Sequence, residues 1–248
     1  MTGNARVEVA SVFVNSSSAT AVRTTGNARI MTGELHVAGG TSFGSTPGCT
    51  GTLTRLAAPF ADPMSSLRFP SIVGMTDLGA ASVNDSRTLS PGYYSGGIRL
   101  TGRASVTLAP GVYLIGGSGL TVSSGDIRGQ GVTLVFLGGS MTLTGGSTVT
   151  LSPTTTGDLA DMVIVQPPSN ASAMKLSGGS SVAISGNIYA PAAAVTLTGN
   201  GSAVGTGPVF GESLIARCAT LTGNGSIKIG RTLAGREAPL PRPHSQVD

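Results

Sequence analysis

The sequence predicts an all-β protein, a right-handed parallel β-helix (β-solenoid) with about 20–24 residues per coil. Three observations point there. Gly, Ser and Thr dominate the composition, with 38 Gly among 248 residues and only 10% charged residues. Apolar and polar residues alternate over short stretches, and a short phrase recurs at nearly constant spacing. The composition alone excludes several classes. Low charge with positive mean hydropathy is the opposite of a disordered chain. Irregular glycine spacing excludes collagen, and so many glycines beside two lysines oppose a helical bundle.

The recurring phrase is a leucine, then Thr or Ser, then Gly. It reads LTGRAS at Leu100, LTGGST at Leu143, LSGGSS at Leu176, and LTGNGS at both Leu197 and Leu221, with a weaker LTVSSG at Leu120. TGNAR occurs at Thr2 and again at Thr25. PGYY at Pro91 and PGVY at Pro110 run in step with these phrases. Around each copy the side chains alternate: Val195 and Leu197 face one way, Thr196 and Thr198 the other. Glycine or Asn-Gly then supplies the turn. A unit of this length without a helix suits one solenoid coil, which buries its inward residues against the coils above and below. A β-sandwich lacks such a fixed phrase.

The predicted organisation is a single solenoid domain over residues 1–230 and a Pro-rich C-terminal tail over 231–248. A Pro-rich packed insertion interrupts the solenoid at about 46–90. The insertion carries Phe60, Met64, Leu67 and Phe69 between its prolines, too apolar for a free linker. It is expected to pack across the side of the solenoid or cover part of an end, with a short helix around Asp62 to Leu67. PTTTGDLAD and QPPSNAS, inside the long interval between Leu143 and Leu176, read as loops thrown out from a coil. The chain starts inside a coil, so the N-terminal coil is expected to expose an unpaired strand edge, a route to self-association.

A search for chemistry yields no catalytic, cofactor-binding or metal-binding residue. Asp158 and Asp161 are acidic neighbours in sequence, but a turn-rich stretch around them reads as a solvated loop rather than a glycosidase pair. No acidic cluster offers a calcium cage. His36 and His244 are far apart, and no Cys-x-x-Cys or paired-His spacing is present. The Gly-rich phrases follow strands without opening helices, so their glycines are turn glycines and not a phosphate cradle. Cys49 and Cys218 leave a disulfide open. Tyr94 and Tyr113 occupy equivalent places in the two PG-x-Y phrases and are expected to stack. The arginines are scattered singly, which does not fit a nucleic-acid footprint, and VTLVFL from Val132 to Leu137 is too short to span a bilayer. No signal peptide is apparent after Met1.

TLT triplets at Thr52, Thr142, Thr196 and Thr220 raise the idea of a flat threonine ladder of the kind that binds ice. Phrases such as PGVY and TLTG are similar to those of bacterial ice-binding β-solenoids. Lys175 and Arg99 fall at the equivalent places in other coils and would spoil flatness.

A broader resemblance rests on FVNSSSATAV around Asn15, the GNAR turns, ADPMSSLRFP around Asp62 and LSPGYYSGGI at Leu89. It continues through VTLAPGVYLIGG, GQGVTLVF, NIYAPAAAVTLTGNGS and LTGNGSIKI. With these phrases the sequence resembles the C-terminal β-helical region of TadG-like proteins of the tight-adherence (Flp) pilus assembly systems, up to about Gly230. Members of that family carry an N-terminal hydrophobic, pilin-like anchor, which this sequence does not show. The resemblance implies a non-enzymatic protein of the bacterial envelope, periplasmic or surface-exposed, with a structural or adhesive role in pilus assembly. Its partners would be other envelope or pilus proteins, or surface polymers, met by loops 153–161 and 166–173. The alternatives are a β-helix that binds or degrades polysaccharide, and an ice-binding solenoid.

Overall fold

The computed structural model describes residues 1–44, 48–177, 179–199, 213–224 and 226–229. Parallel strands stack as a β-solenoid of about nine turns. In chain order an N-terminal unit supplies β1 (Arg6–Val14), β2 (Val22–Thr24), β3 (Arg29–Val37), β4 (Thr41–Phe43) and β5 (Thr52–Arg55). Four three-stranded coils follow: β6 (Ala80–Val83), β7 (Arg87–Leu89) and β8 (Gly92–Tyr94); β9 (Gly97–Leu100), β10 (Ser105–Leu108) and β11 (Gly111–Ile115); β12 (Gly119–Val122), β13 (Asp126–Gly129) and β14 (Val132–Phe136); β15 (Ser140–Leu143), β16 (Thr148–Leu151) and β17 (Met162–Val165). The fifth coil has β18 (Met174–Ser177), β19 (Ser181–Ile184) and the long β20 (Asn187–Gly199), followed by β21 (Ser213–Gly223) and β22 (Ser226–Ile229).

These strands form three faces. The first carries β6, β9, β12, β15, β18 and the C-terminal half of β20; the second carries β7, β10, β13, β16 and β19. The third carries β8, β11, β14, β17 and the N-terminal half of β20, so β20 turns a corner and serves two faces. The pairs Val106↔Ile127, Ile127↔Val149 and Val149↔Val182 show the inward rows in register from coil to coil. Ile127, Val149, Leu134 and Leu143 are fully buried, and each such side chain contributes about 1.5–3 kcal/mol relative to exposure.

The recurrent Leu-Thr/Ser-Gly phrase has a physical account at the first corner. Its leucine faces inward. Its hydroxyl residue stands beside the equivalent residue of the preceding coil and donates to the carbonyl just before it. Ser177 Oγ reaches Leu143 O at 3.2 Å, Thr222 Oγ1 reaches Leu197 O at 3.4 Å and Thr25 Oγ1 reaches Met1 O at 3.4 Å. The backbone N–H of Thr25 donates to the same Met1 carbonyl. The glycine then turns with positive φ, 83° at Gly223 and 79° at Gly3. A Cβ at Gly3 would also sit 2.8 Å from Gly223 O, so the close stack of corners requires glycine there. Ser177→Ala removes only the hydroxyl and should lower stability by about 0.5–1.5 kcal/mol, read as a shift in the urea midpoint with unchanged slope.

The third face departs from simple alternation. Its strands GVYLI, VTLVF and MVIV are apolar on both sides. Tyr113 and Ile115 face the interior, while Leu114 and Val135 point outward yet are fully buried. An outward row runs Tyr93, Leu114, Val135, Val165, Tyr189 and Ile215 in register. Met64 and Leu67 pack against this row, and the Phe69 ring lies over Tyr189 with centroids 6.3 Å apart. Residues 57–78 therefore form a strap along the side of the solenoid, as expected of an apolar Pro-rich stretch.

The strap differs from expectation in two respects. Within 46–90, β5, β6 and β7 are solenoid strands, so the out-of-ladder stretch shrinks to 57–78. The helix expected around Asp62 to Leu67 is absent. Two consecutive turns replace it, with Ser65 N donating to Asp62 O and Leu67 N to Met64 O. Asp62 Oδ1 accepts from Met64 N at 2.9 Å, an Asx turn that competes with a helix. The tail predicted for 231–248 lies outside the described residues.

The larger correction concerns the N-terminal edge. β1 is paired on both sides, with β3 and with β22. Thr2 N donates to Leu221 O and Asn4 N to Gly223 O, so TGNAR at Thr2 stacks on LTGNGS at Leu221. Asn4 Nδ2 donates to Asn224 Oδ1 at 2.8 Å, and Asn27 Nδ2 to Asn4 Oδ1 at 3.0 Å. Lys228 Nζ pairs with Glu8 Oε1 at 3.0 Å across the seam. Met1 packs against both the main core and the N-terminal cluster of Leu35, Val37, Ile30 and Val22. The N-terminal unit thus continues the stack beyond its C-terminal strand, and the strap carries the chain back to the opposite end.

Candidate functional site

The carboxylates are spread over the surface and tied to local partners. Glu8 meets Lys228, Glu34 lies 3.2 Å from His36 Nε2, and Asp85 accepts from Arg87 at 2.6 Å. Asp126 lies 3.7 Å from Arg128. Hydrogen bonds from Ser95 and from the Gly79 N–H hold the Asp77 carboxyl below the usual range. Asp62 Oδ2 accepts from the Tyr189 hydroxyl at 2.8 Å and latches the strap. Asp158 and Asp161 occupy the loop predicted for them. Asp161 has a left-handed backbone, φ 64°, and its carbonyl accepts from both the backbone and side-chain nitrogens of Asn187. Among the described residues no three His, Cys, Asp or Glu side chains come together in a way that could hold a metal ion.

His36 stacks on Phe13 with centroids 4.6 Å apart, and Phe60 meets Phe13 edge-on. Asn15 fixes this corner, since its amide donates to Phe60 O and accepts from Phe60 N. His244 lies outside the described residues. Cys49 bridges to Ile30 in the N-terminal unit and Cys218 pairs with Ala194 on β20; both thiols are free.

Tyr94 and Tyr113 stack in adjacent coils as expected, 6.1 Å apart and nearly parallel. Tyr113 Oη reaches the Leu89 and Ala109 carbonyls, both at 2.8 Å, and Tyr94 Oη donates to Ser90 O. Burial raises the pKa of Tyr94, Tyr113 and Tyr189, with the adjacent Asp62 carboxylate adding to the effect at Tyr189, which reaches about 12. Unfolded tyrosines ionise near pH 10, so the contribution of these phenols is complete below about pH 10. It is lost as pH rises from about 10 towards the folded values, because the unfolded chain then sheds protons that the folded chain keeps. Chemical denaturation between pH 8 and pH 12 should show stability falling over that window. Tyr189→Phe should flatten the fall, and an identical descent in that variant would remove Tyr189 as a cause.

The first face presents a hydroxyl-rich row. The row Ser82, Arg99, Thr121, Thr142, Lys175, Thr196 and Thr220 is continuous in register. The structure therefore puts Arg99 and Lys175 within the threonine ladder, as the spacing indicated. The Thr52 triplet lies elsewhere, on β5 beside Glu34 and His36. On the second face an open depression of about 400 Å³ is lined by Arg128, Gln130, Thr150, Ser152, Ala183 and Ser185. Its lining comes from three neighbouring strands, β13, β16 and β19, with the adjacent corner residues Gln130, Ser152 and Ser185.

The loops expected to project are instead anchored. Leu159 is buried against the outward row of the third face. Gln166 is fully buried and Asn170 is 8% exposed. Gln166 accepts from Ser140 Oγ and donates to Asn170 O and Ser172 O, while the Asn170 amide donates to Phe136 O and Gly139 O. Such a satisfied buried network holds 166–173 against the coils.

The sequence matches a protein family described as a domain of unknown function (DUF7305) over residues 81–235, more than half of the chain. The chain belongs to this family. The DUF7305 match begins at β6 and runs past β22, so it covers the continuous solenoid and leaves out the N-terminal unit and the strap. No curated protein and no solved structure matches the sequence. No helix among the described residues is long and apolar enough to cross a membrane.

The seam and the doubly apolar third face escaped the reading of the sequence. Both had a signal. TGNAR and TGNGS are one phrase at opposite ends of the chain, and a strand without alternation has two faces to bury.

Proposed function

We propose that this chain is a non-enzymatic structural or adhesive protein of the bacterial cell envelope or surface, serving assembly of tight-adherence (Flp) pili. The observation that carries the reading is where the TadG-like phrases fall. ADPMSSLRFP lies on the strap, LSPGYYSGGI and VTLAPGVYLIGG build the tyrosine stack, and NIYAPAAAVTLTGNGS turns the corner along β20. All of them serve a stiff body whose working surface is its outer faces. Partners would be envelope or pilus proteins, or surface polymers, engaged by those faces rather than by swinging loops.

The test is made in the bacterium that produces the protein. Deleting the gene should reduce surface attachment. Wild-type protein should restore it, and so should a variant with Glu34, Asp85, Asp126 and Asp158 changed to their amides. Normal attachment in the deletion strain, or new reducing ends released from a glycan panel by the purified protein, would sink the reading. A second reading, binding of a surface polysaccharide, draws on the depression beside Arg128, whose lining joins the Arg128 guanidinium and the Gln130 amide to a larger apolar share from Leu151, Ala183 and Ile184, a mixture that suits an acidic sugar. Arg128→Glu should then abolish retention on an acidic polysaccharide column while leaving the fold intact.

A further inference from the structure

The order of the coils in space differs from their order in the chain. The N-terminal unit sits beyond β22, and the strap leads from it to β6 at the far end. Nine turns at about 4.8 Å each make a stack of roughly 43 Å. The strap, residues 57–78, reaches up to about 75 Å when extended, so the connection has slack. The seam itself is modular. It consists of parallel pairing from Arg6↔Ser226 to Val9↔Ile229, stacked Thr-Gly-Asn corners, the Asn224–Asn4 hydrogen bond, the Glu8–Lys228 ion pair and the shared apolar core of Met1, Ala5 and Val7 with Leu221 and Ile227. The family match supplies an independent division at the same place, since it contains the accepting strand β22 and excludes residues 1–80. Donor and acceptor are separate units joined by a slack connection.

We propose that the β22 edge is a docking surface for the N-terminal unit of a second copy of this chain. Copies exchange residues 1–56 across the same seam that closes each one on itself. The occupant is fixed by complementarity already present. Only a strand preceded by a Thr-Gly-Asn corner and bearing an acid opposite Lys228 reproduces every seam contact. Reciprocal exchange closes a dimer. One-way donation leaves a free edge at one end and a free unit at the other, and extends as an open chain. A tethered unit competes at an effective concentration of about 1 mM, so roughly a tenth of chains should be exchanged at about 100 µM and almost none at about 1 µM.

The experiment uses the full chain carrying Cys49→Ser and Cys218→Ser. One version adds Glu8→Cys, another adds Lys228→Cys, and tags of different size distinguish them. The two are unfolded together, refolded at about 1 µM and about 100 µM, and oxidised; positions 8 and 228 are direct partners on adjacent strands. A chain carrying both added cysteines should cross-link within the monomer and report the closed seam. In an equal mixture the chains should form the disulfide between copies in about a twentieth of molecules at the higher concentration, since half of the exchanged pairs join two chains of the same version. The amount should fall to background at the lower one, and also when Arg99→Cys replaces Lys228→Cys. Where Cys49→Ser weakens folding, the native cysteines are kept and the peptide joining positions 8 and 228 is identified by mass spectrometry. An efficient link within single chains, with none above the Arg99→Cys background between copies at 100 µM, overturns the proposal.

Discussion

Leu114→Ala should cost about 2–5 kcal/mol, as much as Leu134→Ala, although Leu134 lies inside the solenoid and Leu114 points out of it. In a bare solenoid an outward leucine stands in water, and its truncation is nearly neutral. Here Leu114 is fully buried in an outer cluster with Val135, Leu159, Met162, Val165 and Tyr189, against which the strap packs Met64 and Leu67. The cavity left by the missing methyl groups would open between Tyr93 and Val135, its register neighbours in the outer row. A fully packed outer row predicts non-additivity as well. Once Met64→Asp and Leu67→Asp have lifted the strap, Leu114→Ala should cost under about 1 kcal/mol, while Leu134→Ala keeps its full effect. Denaturant unfolding of the two single variants and their strap combinations separates the cases. Equal losses for Leu114→Ala with and without the strap substitutions would mean that the strap does not bury it.

The contrast between Leu114 and Leu134 also marks how far the sequence could be read. Coil architecture was legible because its determinants are local and repeated: Val195 and Leu197 alternate with Thr196 and Thr198, and glycine follows each corner. The tyrosine stack was legible for the same reason, since Pro91 and Pro110 set Tyr94 and Tyr113 in equivalent places. The apolar character of the strap was visible in Phe60, Met64, Leu67 and Phe69, but its target was not, because the covered row is assembled from six coils and no local pattern names it. Its boundaries were drawn too wide for a related reason. The strands β5, β6 and β7 are three or four residues long, too short for alternation to separate them from the prolines around them. The helix expected near Asp62 failed to a local competitor, the Asp62 carboxylate that caps its own turn and takes the Tyr189 hydroxyl. The outer faces were legible at the level of single residues, with Arg99 and Lys175 placed correctly in the threonine row. The depression beside Arg128 was not, because its lining is assembled from three neighbouring coils and no local pattern marks it.

Deleting residues 1–56 should have the larger effect of the two, because it removes a whole docked unit rather than one side chain. Three losses coincide. The β22 edge would present unpaired N–H and C=O groups over the stretch now paired with Arg6 to Val9. Leu221 and Ile227, now 1% and 3% exposed, would lose the cover of Met1, Ala5 and Val7 above them, with up to about 1.5–3 kcal/mol at stake for each. The strap would lose its anchor at Asn15, whose amide holds Phe60 at both backbone groups. A bare, flat parallel edge with apolar residues behind it is a template for pairing with another chain. The truncated protein should therefore elute as oligomers or precipitate at concentrations where the full chain is a monomer, and its melting temperature should drop. Glu8→Gln, by contrast, removes only the exposed ion pair with Lys228 and should change stability by less than about 1 kcal/mol. Light scattering after size exclusion, with thermal melts of both variants beside the full chain, provides the comparison. A monomeric truncated protein that melts where the full chain does would show that the seam carries no stability and that residues 1–56 ride on the solenoid without closing it.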